Sequence, residues 1–244
     1  MVHGAQWLLL AGAGFLAGAI NAVAGGGSLV SFPALLAVGY APVAANVTNL
    51  VALLPGYAGG SLAYRRELRG QGERVRLLGA TTAAGAGAGT ALLLIGPEHL
   101  FRTLAPWLIL VACAALAARP LVRAQGERRS QRSLLALVAA GALYGGYFGA
   151  GLGIMLLAIL GAFLADDLQR LNALKGLLSL VVAVVSAIVV AIFGPVAWGA
   201  ALVMAASSLV GGHLGVGLAR RLDERVLRWA VVVYGVGVAV ALLV

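Results

Sequence analysis

Ala24-Gly25-Gly26-Gly27-Ser28 and Gly149-Ala150-Gly151-Leu152-Gly153 each interrupt an apolar stretch of this 244-residue chain, and their correspondence decides how it is read. Gly14-Phe15-Leu16-Ala17-Gly18 precedes the first and Asn46-Val47-Thr48-Asn49 follows it; Gly141-Ala142-Leu143-Tyr144-Gly145 and Asn172-Ala173-Leu174-Lys175 flank the second. The matched pairs are offset by 127, 124 and 126 residues, so the chain repeats itself once. A glycine cluster between two apolar arms suits a chain reversal or an unwound stretch, which needs positive φ angles and close backbone approach.

Working outward, apolar runs and polar breaks give ten segments, about 6–24, 28–39, 43–64, 77–95, 99–118, 133–148, 152–164, 171–193, 196–218 and 226–244. The second and seventh would reach only about 18–20 Å as helices against a hydrocarbon core of about 30 Å. They are expected to be half-helices or arms of re-entrant hairpins. Five segments per half is an odd number, so the second copy inserts upside down relative to the first. The expected fold is an all-α polytopic membrane protein, an inverted repeat with about 8 full spans plus the short Gly-interrupted segments. Residues 1–118 form the first repeat, 119–132 a basic cytoplasmic linker, and 133–244 the second repeat.

Composition supports this class. Hydrophobic residues make up 62% of the chain and charged residues 10%, where soluble domains carry about 25%. The 17 Lys and Arg outnumber the 8 Asp and Glu, for a net charge of +9. Five arginines lie in Arg65–Arg76, five in Arg119–Arg132 and four in Arg220–Arg228, all between apolar blocks. That distribution is a topology signal rather than a nucleic-acid footprint, and it assigns those loops to the cytoplasm. Alternation then brings Asp166–Arg170 to the same side, sends Gly96-Pro97-Glu98 outside, and puts both termini outside. The N-terminus has no basic run before its first apolar block, which therefore reads as a retained helix. Lone Cys113 has no disulfide partner and reads as a small packing residue.

Within the segments, polar residues are few. Asn46 and Asn49 are spaced i, i+3, as are Asn172 and Lys175, and Ser179 continues the second face. Thr48 adds a hydroxyl that could instead satisfy a nearby backbone group, and Asn21 lies four residues before Gly25. The asparagines suit either substrate contact or interhelical hydrogen bonding. Lys175 is the only lysine beside sixteen arginines. A charge at a helix centre costs about 2.5–3.5 kcal/mol on insertion scales. It is expected to face a cavity, or else to snorkel toward Asp166 and Asp167. His213 is the one mid-segment group that titrates near neutrality, suited to packing or to proton coupling. No Asp or Glu occupies the middle of a segment, which disfavours a cation path and favours an anionic or neutral solute. Enzyme signatures are absent: there is no HExxH, GxSxG or phosphate loop and no metal-spaced His/Cys set, so neither metal nor cofactor is expected.

The stretch from Gly18-Ala19-Ile20-Asn21 through Gly25-Gly26-Gly27-Ser28 to Phe32-Pro33-Ala34-Leu35, with Asn46-Val47-Thr48-Asn49, closely resembles the first half of the sulfite exporter TauE/SafE family. Tyr144-Gly145-Gly146-Tyr147-Phe148-Gly149-Ala150-Gly151-Leu152-Gly153 and the Lys175 segment are similar to its second motif, and the resemblance covers essentially the whole chain. It implies a bacterial inner-membrane permease for sulfite, organosulfonates or related small organic anions. The chain departs from that pattern at Ser28, where a glycine is common, and at Leu50, where a lysine is frequent, so a two-lysine binding scheme does not carry over.

Together these readings predict a secondary anion transporter with a midplane site between the repeats, lined by Asn21, Gly25, Gly26, Gly27, Ser28, Asn46, Thr48, Asn49, Gly149, Gly151, Gly153, Asn172, Lys175 and Ser179. Half-helix N–H groups would bind substrate oxygens, amides would orient them, and Lys175 would balance charge. The expected partners are a small anion and the lipid bilayer, with no nucleic acid; a homo-oligomer is compatible with the sequence. A passive anion channel and a non-transporting assembly protein are the alternatives.

Overall fold

The computed structural model describes residues 4–23, 26–118, 130–219 and 224–243, and among these it is entirely helical between turns. Eleven helices follow in order: α1 (Gly4–Val23), α2 (Ser28–Ala37), α3 (Pro42–Ala52), α4 (Leu54–Ala63), α5 (Gly72–Ile95), α6 (Glu98–Ala118), α7 (Gln131–Tyr147), α8 (Leu152–Phe163), α9 (Leu168–Phe193), α10 (Trp198–Ala219) and α11 (Glu224–Leu243). Four of them, α1, α5, α6 and α9, are long and apolar enough by themselves to cross a bilayer. Helices α2 and α8 have 10 and 12 residues, which at about 1.5 Å per residue is half a crossing. The linker residues 119–129 and residues 220–223 of the third basic loop lie outside the described residues.

One expected segment is two helices. The apolar run 43–64 breaks at Leu53, between α3 and α4. Pro55 causes this: it has no N–H to give to the carbonyl four residues back, and its ring crowds the preceding turn. That carbonyl is Val51's; the next one, of Ala52, accepts the Ser208 hydroxyl of α10 at 2.8 Å. A short distance up the helix, the Ala197 N–H, just before α10, donates to Thr48 Oγ1 at 2.9 Å. Both bonds hold the α3 side of the break, and α10 packs against α4 as well.

Packing follows a paired pattern. Helix α1 lies against α10 and α5 against α7, while α6 meets α11, and α3 and α4 both meet α9. Gly18 and Gly89 let two of these pairs approach, since a Cβ at either would strike a backbone carbonyl, of Ser208 or of Leu143. Outward-facing side chains are apolar, among them Ile95 at 79% and Phe193 at 74% exposure. Such a surface is matched to hydrocarbon. His213 is also exposed, on α10, so it is not the packed histidine the sequence suggested. Cys113 is buried, as its packing role required.

At one end of the bundle two loops are tied together. Arg74 pairs with Asp166, Arg170 reaches the same carboxylate at 2.9 Å, and Gln71 Nε2 donates to the Arg170 carbonyl at 3.2 Å. Burial alone would raise the Asp166 pKa, but the Arg74 hydrogen bond, the Asp167 N–H and the two guanidinium charges hold it below the usual carboxylate value. The Arg65–Arg76 loop and Asp166–Arg170 therefore share one end, the arrangement that alternation along the chain had required.

Candidate functional site

The two glycine breaks are built by different local chemistry. In the first, Asn21 Oδ1 accepts the Gly27 N–H at 2.8 Å, closing the turn from α1 into α2 with a side chain. Gly27 itself has ordinary helical angles; glycine is needed there because a Cβ would collide with the Ala17 carbonyl. In the second break, Gly149 and Gly151 adopt left-handed φ values of 82° and 73°, and the Tyr144 hydroxyl donates to the Ala150 carbonyl at 2.7 Å. Gly25 lies outside the described residues.

These turns spend most of the amides that were expected to serve an anion. Leu29 and Val30 donate to the Gly26 and Gly27 carbonyls at 3.0 and 2.9 Å, and Leu152 and Ile154 to Gly149 and Gly151 at 3.3 and 3.0 Å. The half-helix starts are tight 3₁₀-type turns, and the polar lining of the site comes mainly from side chains.

Those side chains gather where α4 passes α9. A cavity there is lined by Asn21 and Gly153 near the breaks, by Tyr57 and Ser61 of α4 with Tyr64 at its C-terminal cap, and by Asn172, Lys175 and Ser179 of α9. A second cavity adjoins it, sharing Tyr57 and Ser179 and adding Ser28, Asn49 and Gly149. Lys175 is 7% exposed and, among the described residues, is the one cationic side chain in either wall, where no described carboxylate stands. Ser61 Oγ, Asn172 Oδ1 and Ser179 Oγ are buried without a protein hydrogen-bond partner. The Tyr57 hydroxyl meets the Ser28 and Asn21 side chains where the cavities join. Volumes are about 30 and 10 Å³, water-sized spaces by the measure of about 10–15 Å³ for one molecule. The conformation is closed around its polar groups.

Of the residues expected to form the site, Asn21, Ser28, Asn49, Gly149, Gly153, Asn172, Lys175 and Ser179 line these cavities. Asn49 also accepts the Ser31 hydroxyl. The others serve the frame. Asn46 Nδ2 donates to the Tyr147 carbonyl at 2.9 Å, Thr48 accepts from Ala197, Gly26 sits beneath Leu116, and Gly151 lies against Ala112. Sequence reading passed over Tyr57, Ser61 and Tyr64, although their i, i+4, i+7 spacing after Pro55 puts them on one helix face.

Next to Gly149 in the chain, Phe148 belongs to a cluster of rings. Phe32 stands edge-on to Phe148 at 5.4 Å and to Phe101 at 6.4 Å, each ring 1% exposed, with Tyr144 and Tyr147 packed around them.

An all-helical bundle with a lipid-matched surface, half-length helices after glycine breaks and a buried polar cleft is a multi-pass membrane protein. Comparison with known proteins narrows this. The family model described as sulfite exporter TauE/SafE matches residues 10–242, so the chain belongs to that family of membrane transporters. It is 28% identical over 225 residues to a probable membrane transporter protein of Haemophilus influenzae, covering 90% of this chain and 88% of the relative. It is 27% identical over 224 residues to the probable membrane transporter protein YfcA of Escherichia coli K12, covering 89% and 82%. A probable membrane transporter protein of Sinorhizobium, ORF9, is 25% identical over 234 residues, covering 95% and 90%. No solved structure matches the chain.

Proposed function

We propose that this protein is a secondary transporter of small oxyanions, sulfite or organosulfonates, working by alternating access. One observation carries the reading: a buried lysine stands in a cleft whose described walls are hydroxyls, amides and glycines. An ammonium held out of water favours an anion, and hydroxyls and amides can reach its oxygens without adding negative charge. The family's description as sulfite exporters agrees with that chemistry. The α1–α10 and α7–α5 pairings, with α6 on α11, are what an inverted repeat of residues 1–118 and 133–244 would produce. The small cavity volumes suit a carrier caught closed, in which one half must move against the other before a solute enters. By the positive-inside rule, the end carrying Arg65–Arg76 faces the cytoplasm, across a bacterial inner membrane.

Uptake or efflux of sulfite and taurine-like sulfonates by the protein in proteoliposomes is the test. Saturable flux with stimulation by counter-substrate is expected, and Lys175→Ala lowers apparent affinity about 10- to 100-fold, the worth of a hydrogen bond to a charged group. Flux linear in concentration at channel-like rates would make the protein a pore. Stabilisation by carboxylates and not by sulfur oxyanions would overturn the substrate class.

A further inference from the structure

We propose that Tyr57, Ser61 and Tyr64 form the second binding wall of the solute pathway, and that the pathway reaches the basic end of the bundle along this α4 face. The inference rests on the transporter reading above and adds to it three residues and a direction. Asn172, Lys175 and Ser179 stand at i, i+3 and i+7 on α9, and Tyr57, Ser61 and Tyr64 at i, i+4 and i+7 on α4 and its C-terminal cap; all six line one cavity. The α4 row ends at Tyr64, where the chain enters the Arg65–Arg76 loop, and the α9 row begins one turn beyond Asp167, in the loop tied to it by Arg74 and Arg170. Both rows therefore start at the same end. Lys175 lies about 12 Å and Ser179 about 18 Å along α9 from Asp167, which takes the polar rows to about the middle of a 30 Å core.

The second cavity mixes Leu50, Leu53, Val182 and Ala183 with Ser28 and Asn49, and Phe148, next to its wall residue Gly149, packs its ring on Phe32 and Phe101. Ser61 supplies the second, independent sign of a ligand. Its hydroxyl is 92% buried, has no partner in the protein, and lines a space too small for more than water. An unpaired buried hydroxyl lowers stability in the empty protein and is retained at no cost only if something else bonds to it. Tyr57 sits where the two cavities join, its hydroxyl shared with Ser28 and Asn21, so a solute oxygen moving inward meets it in competition with those side chains.

Two measurements on the full chain test this. In a Cys113→Ala background in membrane vesicles, Tyr64→Cys and Ser61→Cys are expected to react with a membrane-impermeant methanethiosulfonate reagent from the face bearing the Arg65–Arg76 loop. Leu62→Cys, on the outward side of α4 at 69% exposure, is expected to stay unmodified in lipid. Methanesulfonate should slow the reaction at position 61. Separately, Ser61→Ala should leave the Tm of the empty protein unchanged or higher while raising the KM for the transported anion about tenfold at an unchanged maximal rate. A lower Tm with unchanged KM would mark a packing residue and overturn the proposal. So would equal labelling at 61, 62 and 64, or no protection by a sulfonate that the wild-type protein transports. If the wild-type protein transports no sulfur oxyanion, the substrate reading falls, and the labelling pattern alone decides whether α4 lines the pathway.

Discussion

The helices that follow the two glycine breaks differ in a way their matched positions conceal. In the first half the run after the break is split at Leu53 into α3 and α4, whereas in the second half α9 continues unbroken for 26 residues. The turns differ too. Asn21 closes the first with a side chain, while left-handed glycines and the Tyr144 hydroxyl close the second. Positions matched by spacing along the sequence can thus be reached by unrelated local solutions. In the proposed pathway the unbroken α9 carries Lys175, and the α3–α4 pair, broken at Leu53, faces it.

The sharpest way to break this comparison is at Gly27. A Cβ there must push against the Ala17 backbone, so Gly27→Ala is expected to cost about 3 kcal/mol, at the upper end for overpacking, and to lower the Tm in detergent more than any change at the second turn. Gly151→Ala should cost less, about 1–2 kcal/mol: its left-handed φ is strained for alanine, but the new Cβ would meet Ala112 at 3.0 Å, a tight contact and not the backbone overlap found at Gly27. Equal losses at the two sites would show that the turns are not built differently. Ser208→Ala removes the hydroxyl that holds the Ala52 carbonyl at the α3–α4 joint, and should lower stability by about 1 kcal/mol with the main effect on exchange of amides near Leu53. No change in local exchange would mean that α10 does not fix the joint.

The smallest effect is expected at the loops. Because the Asp166 pKa is held down in the folded protein, its contribution is complete above the ordinary value near 3.8 and is lost as pH falls through the lower folded value. An acid titration should therefore show Asp166→Asn losing its difference from wild type only below about pH 4.

Much of the architecture was legible because apolar runs and cationic loops are local features, and the half-length helices followed from counting residues between glycine clusters. The α3–α4 joint was not. A proline in an apolar run either kinks or breaks a helix according to what packs around the turn before it, and here one contact at that turn, from Ser208 to the Ala52 carbonyl, comes from 156 residues away. For Asn46 and Thr48 the sequence leaves solute contact and hydrogen bonding within the bundle both open, since their partners, the Tyr147 carbonyl and the Ala197 N–H, come from the other half of the chain. Lys175 could be singled out because an ionised group in an apolar segment carries its own argument. Tyr57 and Tyr64 carry none, being equally at home as interfacial anchors, although their spacing with Ser61 was readable.

In the transporter proposed above, the ring cluster would bear on leakage. Phe148 is the residue immediately before Gly149, so a ring of the cluster and one wall of the inner cavity are consecutive links of the same turn. Parting the rings would then shift that wall. Admission from the far side and reshaping of the cradle would become a single stroke, and a water column spanning both faces would require the turn to be in two places at once.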